Sequence, residues 1–339
     1  MNILSLTPRG VVFVLFLLLL SAGCARHPDQ GTVADVTNLP QDPEKYVPYL
    51  DQNIIPVGRV KQEKMAQEFK NKLFSPWRSE APLYSGDRLY WGLDEFGERT
   101  LYAAQGLPYP QGWWASVRAN ADRDAFPSLA RSGITVRTTD VRVLPTQEPV
   151  FFEPDQAGQG YPFDMMQNSV LWTSTPVRVV HRSRDQAWLL VETAWVFGWV
   201  RAEDVAWVDR DQAELLENSS LVAVTEDGFP LLDRNGTYQS RARIGILLCA
   251  LRETRHGYRV ALPTSGAQGH MIIRSGLVSR RVASPFPIKL HSNQVAQVAG
   301  EMMGQIYGWG DLYARRDCSA GIRNLFTPFG LWLPRNSSQ

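Results

Sequence analysis

Short runs of alternating apolar and polar residues fill the middle of the sequence and constrain its fold more than any other feature. Residues 133–139, Gly-Ile-Thr-Val-Arg-Thr-Thr, alternate in the manner of a half-buried strand. The segments between such runs are rich in Pro, Gly, Asp and Asn, which favour turns. Further runs lie at residues 177–180, 188–191, 198–200, 221–224, 243–251, 258–262 and 271–273. This spacing predicts a mainly β chain with two small antiparallel barrels, at residues 129–212 and 213–287.

The first residues of the chain have the layout of a bacterial export signal. Val11 to Leu20 is an unbroken apolar run that is too short for a standard membrane span. Ser21-Ala22-Gly23-Cys24 follows and resembles a bacterial lipobox, with Ser21 where Leu is usual. We therefore expect a signal peptide over residues 1–23, lipid attachment at Cys24 and a polar tether over residues 24–45. The alternative is an ordinary signal peptide with an incidental Cys. Because Ala25 rather than Asp follows the Cys, the resemblance implies the outer membrane, with the protein facing the periplasm.

Residues 46–128 show little alternation and are rich in aromatic side chains. Met65 to Leu73 predicts a short helix, and the rest of the segment predicts loops held in place by aromatic residues. The tryptophans are Trp77, Trp91, Trp113 and Trp114. Because the segment has few apolar stripes of its own, we expect it to pack over another domain as an irregular wrapping segment.

Charge and cysteine content exclude several classes of function. The chain has 35 basic and 34 acidic residues, and no basic block interleaves with aromatic residues, so we expect no nucleic-acid partner. Cys249 lies in the apolar run of residues 246–251 and predicts a buried, inert thiol rather than half of a disulfide. We expect no cofactor and no metal ion, and the sequence leaves the oligomeric state open.

The C-terminal region predicts two helices joined by a glycine-rich loop. After Ser292-Asn293, a candidate cap, apolar residues recur at helical spacing up to Met303. A second helical pattern starts at Cys318, with Asp317 as its N-cap, and Pro328 ends it. The positive end of a helix dipole favours a thiolate in the first turn, and Arg315 and Arg316 would add to this effect if they turned toward it. The alternative is that Cys318 is a small core residue on an apolar helix face.

Several motifs in a fixed order resemble the NlpC/P60 cysteine peptidases, in the lipoprotein type that has an N-terminal stabilising clip and two bacterial SH3 (SH3b) domains. Gly198-Trp199-Val200 resembles the closing strands of an SH3b domain, and residues 141–146 and 161–167 resemble the first SH3b module of those proteins. Tyr-Gly-Trp-Gly at 307–310, Asp-Cys-Ser at 317–319 and Leu-Pro-Arg-Asn-Ser-Ser-Gln at the end resemble the active-site helix and the loop after it. The resemblance implies that residues 46–128 are the clip and that residues 288–339 are the first helices of an α+β, papain-like catalytic domain.

The resemblance also implies an activity and a set of site residues. The activity would be that of a γ-D-glutamyl-L-diamino-acid endopeptidase in peptidoglycan turnover. Cys318 would be the nucleophile, and Tyr307 would line the oxyanion site. Asp317 and Ser319 would hold the free N-terminal ammonium of an L-Ala peptide, and a carboxylate beside a hydroxyl suits an amine. An acidic residue at an N-cap can equally be structural, so a binding role for Asp317 is one of two alternatives.

The histidine that such a peptidase needs as its general base is missing from the expected position. None of the residues after Cys318 is His, and the five histidines of the chain lie earlier, at 27, 181, 256, 270 and 291. We therefore expect a truncated and inactive chain, which could be a gene fragment, a segment with a chosen boundary or the product of a frameshifted gene. A non-catalytic, peptidoglycan-binding SH3b lipoprotein is the second hypothesis, and an SH3-like signalling adaptor is disfavoured by the lipobox.

The truncation carries an expectation about packing. The helix that bears Cys318 presents Ile322, Leu325 and Phe329 at helical spacing. In the family these side chains pack on a sheet that comes later in the chain. We therefore expect the last residues to be poorly packed or to dock elsewhere.

Overall fold

Two antiparallel sheets form the middle of the molecule, where the sequence predicts alternating strands. The computed structural model describes residues 34–53 and 57–337. The mainly β fold class is confirmed, with helices before and after the sheets. The strands are β1 (Arg131–Thr135), β2 (Thr139–Arg142), β3 (Gln167–Leu171), β4 (Pro176–Arg182), β5 (Trp188–Glu192), β6 (Phe197–Arg201), β7 (Val205–Trp207), β8 (Ser220–Val224), β9 (Pro230–Leu232), β10 (Tyr238–Arg241), β11 (Leu247–Thr254), β12 (Gly257–Ser265), β13 (Met271–Ser279) and β14 (Ala283–Pro285).

The first sheet contains strands β1 to β7 in the order β3-β2-β6-β5-β4-β1-β7. Trp199 on β6 is in register with Leu190 of β5 and with Arg142 of β2. The Trp199 side chain is fully buried. It lies on an interior strand, between β2 and β5.

The second sheet contains β8 and β11 to β14 in the order β13-β12-β11-β8-β14, and β9 and β10 form a separate hairpin. A helix that the sequence analysis did not predict, Arg210–Asn218, joins the two sheets. Asp209 and Gln212 form a capping box at its start, in which each side chain bonds the backbone of the other. In neither sheet do the two outermost strands pair with each other among the described residues.

Cys249 on β11 behaves as the sequence predicts. Its side chain is half-buried, and its sulfur lies 3.5 Å from the carbonyl oxygen of Leu216. Burial raises the pKa of the thiol to about 12, which disfavours the reactive thiolate. The thiol is therefore an inert packing group.

The N-terminal segment is more helical than the sequence predicts. Its helices are α1 (Ala34–Asn38), α2 (Val47–Asn53), α3 (Arg59–Leu73), α4 (Ser75–Arg78), α5 (Gly86–Leu89), α6 (Trp91–Phe96) and α7 (Gln111–Ala121). Most are too short for apolar periodicity to emerge from the sequence, whereas α3 includes the predicted helix and extends it toward the N-terminus. Across residues 34–53 and 57–337, no helix combines the length and the apolar character needed to cross a membrane.

The N-terminal segment packs over the first sheet, as the sequence predicts. Leu89, Tyr90 and Phe96 belong to the same buried cluster as Leu190 and Trp199. Tyr90 and Phe96 are therefore core residues of the first module, and Trp113 and Trp114 pack against the same cluster, whereas Trp91 is exposed.

Helix α3 also holds the C-terminal region. The side-chain amide of Gln62 donates to the carbonyl oxygens of Ile288 and Phe329 at 2.7 and 3.0 Å, and its oxygen accepts from the Leu290 N–H at 3.0 Å. Gly330 has a φ of +77°, and a Cβ at this position would lie 2.7 Å from the Cβ of Ala66. This close approach requires glycine and shows how tightly the chain end lies against α3.

The two predicted C-terminal helices are present. We label the helix between the two sheets α8 (Arg210–Asn218), and the two C-terminal helices are α9 (Ser292–Met302) and α10 (Cys318–Phe326). The N-cap of α9 is His291 rather than Ser292 or Asn293, and its side chain accepts from the Asn293 N–H at 3.4 Å. A short 3₁₀ turn with Pro328 follows α10, and Gly330 ends it in a left-handed conformation, as the sequence predicts.

Of the two expected outcomes for the chain end, docking elsewhere is the correct one. Phe329 is fully buried between α3 and the second sheet, in a cluster with Phe69 and Leu221, and Leu325 packs at its edge. Poor packing is therefore wrong for these residues. Ile322 alone of the three predicted apolar positions stays exposed, at 54%.

Candidate active site

Asp317 and Cys318 start helix α10 in the arrangement that the sequence predicts. The Asp317 carboxylate accepts from the Ala320 N–H at 2.8 Å and is the N-cap, and Cys318 is the first helical residue. The Cys318 side chain is exposed. The interpretation of Cys318 as a buried core residue is therefore wrong.

The expected help from two neighbouring arginines is not observed. Arg316 is buried and turns away from Cys318, toward Asp227 of the second sheet module, with contacts of 2.6 and 2.9 Å. Arg315 is exposed, and its guanidinium lies 5.9 Å from the centre of the Tyr313 ring. A carboxylate far away in sequence, rather than the thiol, decides where Arg316 points.

Cys318 opens into a cleft of about 410 Å³ that three parts of the chain build together. One wall comes from α6, one from the first sheet module and one from the C-terminal region. The lining residues include Trp91, Glu95, Phe96, Val143, Phe152, Met165, Gln167, Asn168, Tyr307, Trp309, Gly310, Asp317, Cys318, Ser319 and Arg335. The structure therefore brings together Tyr307, Asp317, Cys318 and Ser319, whose roles stay predictions, while Cys24 lies outside the described residues.

The first sheet module fixes the glycine-rich loop that carries Tyr307. The indole N–H of Trp309 donates to the carbonyl oxygen of Asp164 at 3.1 Å, and the Gln167 amide donates to the carbonyl oxygen of Gly310 at 3.0 Å. Gly310 has a φ of +56°, and a Cβ there would lie 2.5 Å from the Gln167 carbonyl oxygen. The loop therefore needs glycine at 310 to approach the module this closely.

A buried ion pair holds the two sequence stretches that resemble the first SH3b module. Arg142 and Asp164 are 2.6 Å apart, and both side chains are almost completely buried. The same carboxylate accepts the N–H groups of Val150 and Met166, each at 2.9 Å. The pair thus shapes the loop whose backbone anchors Trp309.

The sequence analysis missed Arg335, which organises the floor of the cleft. Its guanidinium pairs with Asp317 at 2.7 Å and with Asp311 at 3.2 Å. It also donates to the hydroxyls of Ser319 at 3.0 Å and Ser169 at 2.7 Å. The sequence did contain a pointer to this residue, because Arg335 is the arginine of the Leu-Pro-Arg run that resembles the loop after the active-site helix. Asp317 and Ser319, the predicted ammonium ligands, are thus already engaged by a cation of the same chain.

Asp311 is the second residue that the sequence analysis missed. Burial raises its pKa to about 6, against the opposing effect of the Arg335 cation, and the nearby Asp317 carboxylate raises it further. Its side chain also accepts from the Asp317 N–H at 3.2 Å. Asp311 therefore supports the helix start from below while sharing Arg335 with Asp317.

Tyr307 stands at the rim of the cleft with half of its surface exposed. Partial burial raises the pKa of its phenol, and the nearby Asp317 carboxylate raises it further. The phenol is therefore a neutral hydrogen-bond donor beside the thiol.

None of the described histidines lines the cleft. His181 is buried in the first module, where its Nδ1 lies 2.7 Å from the Ser128 hydroxyl and where burial lowers its pKa. His291 caps α9, and the Nε2 of His256 contacts Arg255 at 2.7 Å. His270 lies on the second module, and His27 falls outside the described residues. In the part of the chain that the structure describes, Cys318 has no imidazole beside it.

Three family models match successive parts of the sequence. Residues 11–126 match the N-terminal NLPC_P60 stabilising domain. Residues 149–201 match the SH3 domain of the SH3b1 type, and residues 209–255 match the SH3 domain of the SH3b2 type. The chain therefore has the domain organisation of NlpC/P60 proteins. The stabilising domain and the two SH3b domains are the helical N-terminal segment and the two sheet modules described above.

Two solved structures align with this chain, and the first of them shares its fold. An NlpC/P60 endopeptidase from Photobacterium damselae subsp. piscicida is similar over 88% of this chain and 69% of its own, with a TM-score of 0.78 and 25% sequence identity. An NlpC/P60 family protein from Bacillus cereus ATCC 10987 aligns over 61% of this chain and 75% of its own, with a TM-score of 0.45 and 14% identity. No curated protein matches the sequence. The endopeptidase-like fold is thus consistent with a cell-wall hydrolase.

Proposed function

We propose that this chain is a γ-D-glutamyl-L-diamino-acid endopeptidase-like protein that acts on peptidoglycan peptides through Cys318. The observation that carries the proposal is the position of Cys318, exposed at the start of a helix and inside a cleft that the stabilising domain and the first SH3b domain help to build. A helix N-terminus stabilises a thiolate, and a cleft closed by other domains accepts short peptides rather than folded proteins.

The reaction that this geometry supports is acyl transfer. The sulfur of Cys318 would attack the γ-carbonyl carbon of D-Glu, and the oxyanion would form beside the neutral phenol of Tyr307. The C–N bond would then break, the diamino acid would leave as a protonated amine, and water would hydrolyse the thioester. Each half-reaction needs a general base and a general acid, and in cysteine peptidases one imidazole serves as both.

The charges around the cleft support a substrate with a free amine. Glu95 and Asp317 line it, and Asp311 lies directly beneath. Arg335 pairs with two of these three carboxylates, Asp311 and Asp317. The third, Glu95, pairs with the exposed Arg99 at 2.8 Å. We propose that the N-terminal ammonium of an L-Ala peptide adds to this set, sharing Asp317 and Ser319 with Arg335 rather than replacing it.

The proposal is tested by cleavage of L-Ala-γ-D-Glu-diaminopimelate. We expect no turnover by the 339-residue chain, since none of the described histidines lies in the cleft. An extended chain that adds a homologous C-terminal segment with the histidine should be active, because general acid–base catalysis alone supplies about 10²–10⁴-fold. Cys318→Ser in the extended chain should abolish turnover, and Cys249→Ser is the matched control that should keep it.

Two outcomes would contradict parts of this proposal. Turnover by the 339-residue chain that depends on Cys318 would show that another group serves as the base. An extended, folded chain that binds the tripeptide without cleaving it would favour the second candidate function, a non-catalytic peptidoglycan-binding lipoprotein. That candidate is supported by the absence of an imidazole in the described cleft.

We also propose that the protein is exported and anchored to the outer membrane, facing the periplasm. The apolar run before Ser21-Ala22-Gly23-Cys24 supports this proposal. Labelling with a radioactive fatty acid should mark the wild-type protein and leave the Cys24→Ser variant unmarked. One acyl chain binds membranes only weakly, so stable fractionation with membranes requires more than one chain. Equal labelling of both proteins would refute the anchor.

A further inference from the structure

A second and larger groove, of about 950 Å³, lies between the two SH3b domains and the segment that leads to Cys318. We call it the inter-module groove. The β1–β2 turn forms one side, β10 and the end of β12 form the other, and residues 313–315 close it. The groove is distinct from the Cys318 cleft, since the two share no lining residue.

The inter-module groove carries a concentrated positive charge. Its charged lining residues are Arg137, Arg241, Arg243 and Arg315, and no Asp or Glu lines it among the described residues. Arg241 donates to the Gly228 carbonyl oxygen at 3.2 Å and is otherwise exposed. Arg137 meets Asp204 at 3.2 Å, with 56% of the arginine side chain exposed. Arg241 uses one N–H group in its contact with Gly228 and more than half of the Arg137 side chain faces solvent, so both guanidinium groups can still reach a ligand.

The carboxylate behind the groove does not cancel this charge. Asp227 lies 3.5 Å from Arg243 but is already held by two contacts with Arg316, at 2.6 and 2.9 Å. The Nε of Arg243 is buried and has no hydrogen-bond partner within the described residues. Burial lowers the pKa of Arg243, against the attraction of Asp227, and the nearby cations Arg316 and Arg241 lower it further. An anion in the groove would supply the missing countercharge.

Aromatic rings flank the arginines. Tyr238 and Tyr313 line the groove with 59% and 69% of their surfaces exposed. Tyr313 and Ala314 both have positive φ angles, 60° and 54°, which non-glycine residues adopt at a cost. An exposed tyrosine offers an apolar face to the C–H side of a sugar ring and a hydroxyl to its polar edge. The combination suits a ligand that is both saccharide and anion.

We propose that the inter-module groove is a second, non-catalytic site that binds a carboxylate-bearing glycopeptide. The guanidinium fork of arginine pairs with carboxylates through two parallel hydrogen bonds, and the tyrosines pack on the sugar. The identity of the ligand rests on the proposed function, because the cleft of the same chain would act on the acidic stem peptides of such glycans. Arg315 precedes Asp317 by two positions, so both sites share one segment. The groove would hold the polymer while the cleft takes a peptide.

The test is calorimetric binding of a soluble disaccharide–tetrapeptide with free carboxylates to the full chain. Arg241→Ala should weaken binding about tenfold or more, as expected for a lost charge-assisted hydrogen bond, and Arg241→Lys should restore part of it. Tyr238→Ala should weaken binding of the glycopeptide but not of its free peptide. Arg281→Ala, an exposed arginine outside the groove, is the matched control and should bind like wild type. Binding should weaken at high salt.

The outcomes separate this inference from the proposed function. Cys318→Ser should leave groove binding unchanged, so binding that persists without any hydrolysis supports the groove even if the peptidase proposal fails. Hydrolysis by the extended chain with glycopeptide binding that is insensitive to Arg241 would overturn the groove alone. A ligand with amidated carboxylates that binds equally well would also overturn it, as would a phosphorylated glycolipid that binds more tightly.

Discussion

Replacement of Arg335 by methionine should lower the free energy of unfolding by about 3–5 kcal/mol, the usual cost of removing one partner from a buried ion pair. Arg335 is 3% exposed, and the substitution would leave Asp311 and Asp317 without their cation and Ser169 without a donor. Urea denaturation of the two proteins at neutral pH measures the difference. Arg335→Lys keeps the charge but not the planar fork, so it should recover only part of the loss.

The matched control for this prediction is Arg315→Met. Arg315 is exposed and its guanidinium lies 5.9 Å from the centre of the Tyr313 ring, so loss of this side chain should change stability by less than about 0.5 kcal/mol. A loss below about 1 kcal/mol for Arg335→Met would mean that water reaches the carboxylates and that the floor of the cleft is not a closed network.

The Arg335→Met deficit should depend on pH. Burial raises the pKa of Asp311 to about 6, and Arg335 opposes this rise, so the variant has a still higher Asp311 pKa. Between about pH 4 and pH 6, Asp311 is protonated in both native proteins but ionised when either protein is unfolded, so both lose stability equally as the pH rises. Above about pH 6 only the variant keeps that proton and goes on losing stability. The difference between the two proteins should therefore be smallest and constant up to about pH 6 and should widen as the pH rises above this value.

Local patterns of the sequence predicted the elements whose causes are local. Asp317 caps α10 because a carboxylate next to the first turn bonds its free N–H groups, and this follows from neighbouring residues alone. Pro328 and Gly330 end the helical region for equally local reasons. The strands follow from alternation, and Trp199 is buried on an interior strand of the first sheet.

Contacts between distant parts of the chain were out of reach of such patterns. Arg316 turns to Asp227 rather than to Cys318, and the residues next to Arg316 in the sequence do not predict a partner in the second SH3b domain. Arg335 and Asp311 meet only because the chain folds back under α10. The arginines of the inter-module groove come from both SH3b domains and from the segment before Cys318, so their concentration in one place emerges only from the fold.

Phe329→Ala should destabilise the protein by about 3–5 kcal/mol, because it opens a cavity in the cluster that joins α3, the second sheet and the C-terminal helices. Phe329 is fully buried there, and its backbone carbonyl is held by Gln62. Ile322→Ala is the matched control on α10. With 54% of Ile322 exposed, it should cost less than about 1 kcal/mol.

Two measurements distinguish this docking from a loosely attached chain end. Urea denaturation gives the loss of stability, and limited proteolysis should cut the Phe329→Ala variant within residues 288–337 faster than the Ile322→Ala variant. The reason is that the C-terminal region is tied to the rest of the protein by Gln62, Gly330 and the Phe329 cluster rather than by α10 alone. Equal effects of the two substitutions would mean that α10 does not rest on α3. In that case the cleft around Cys318 would lack the support that keeps the thiol at its mouth.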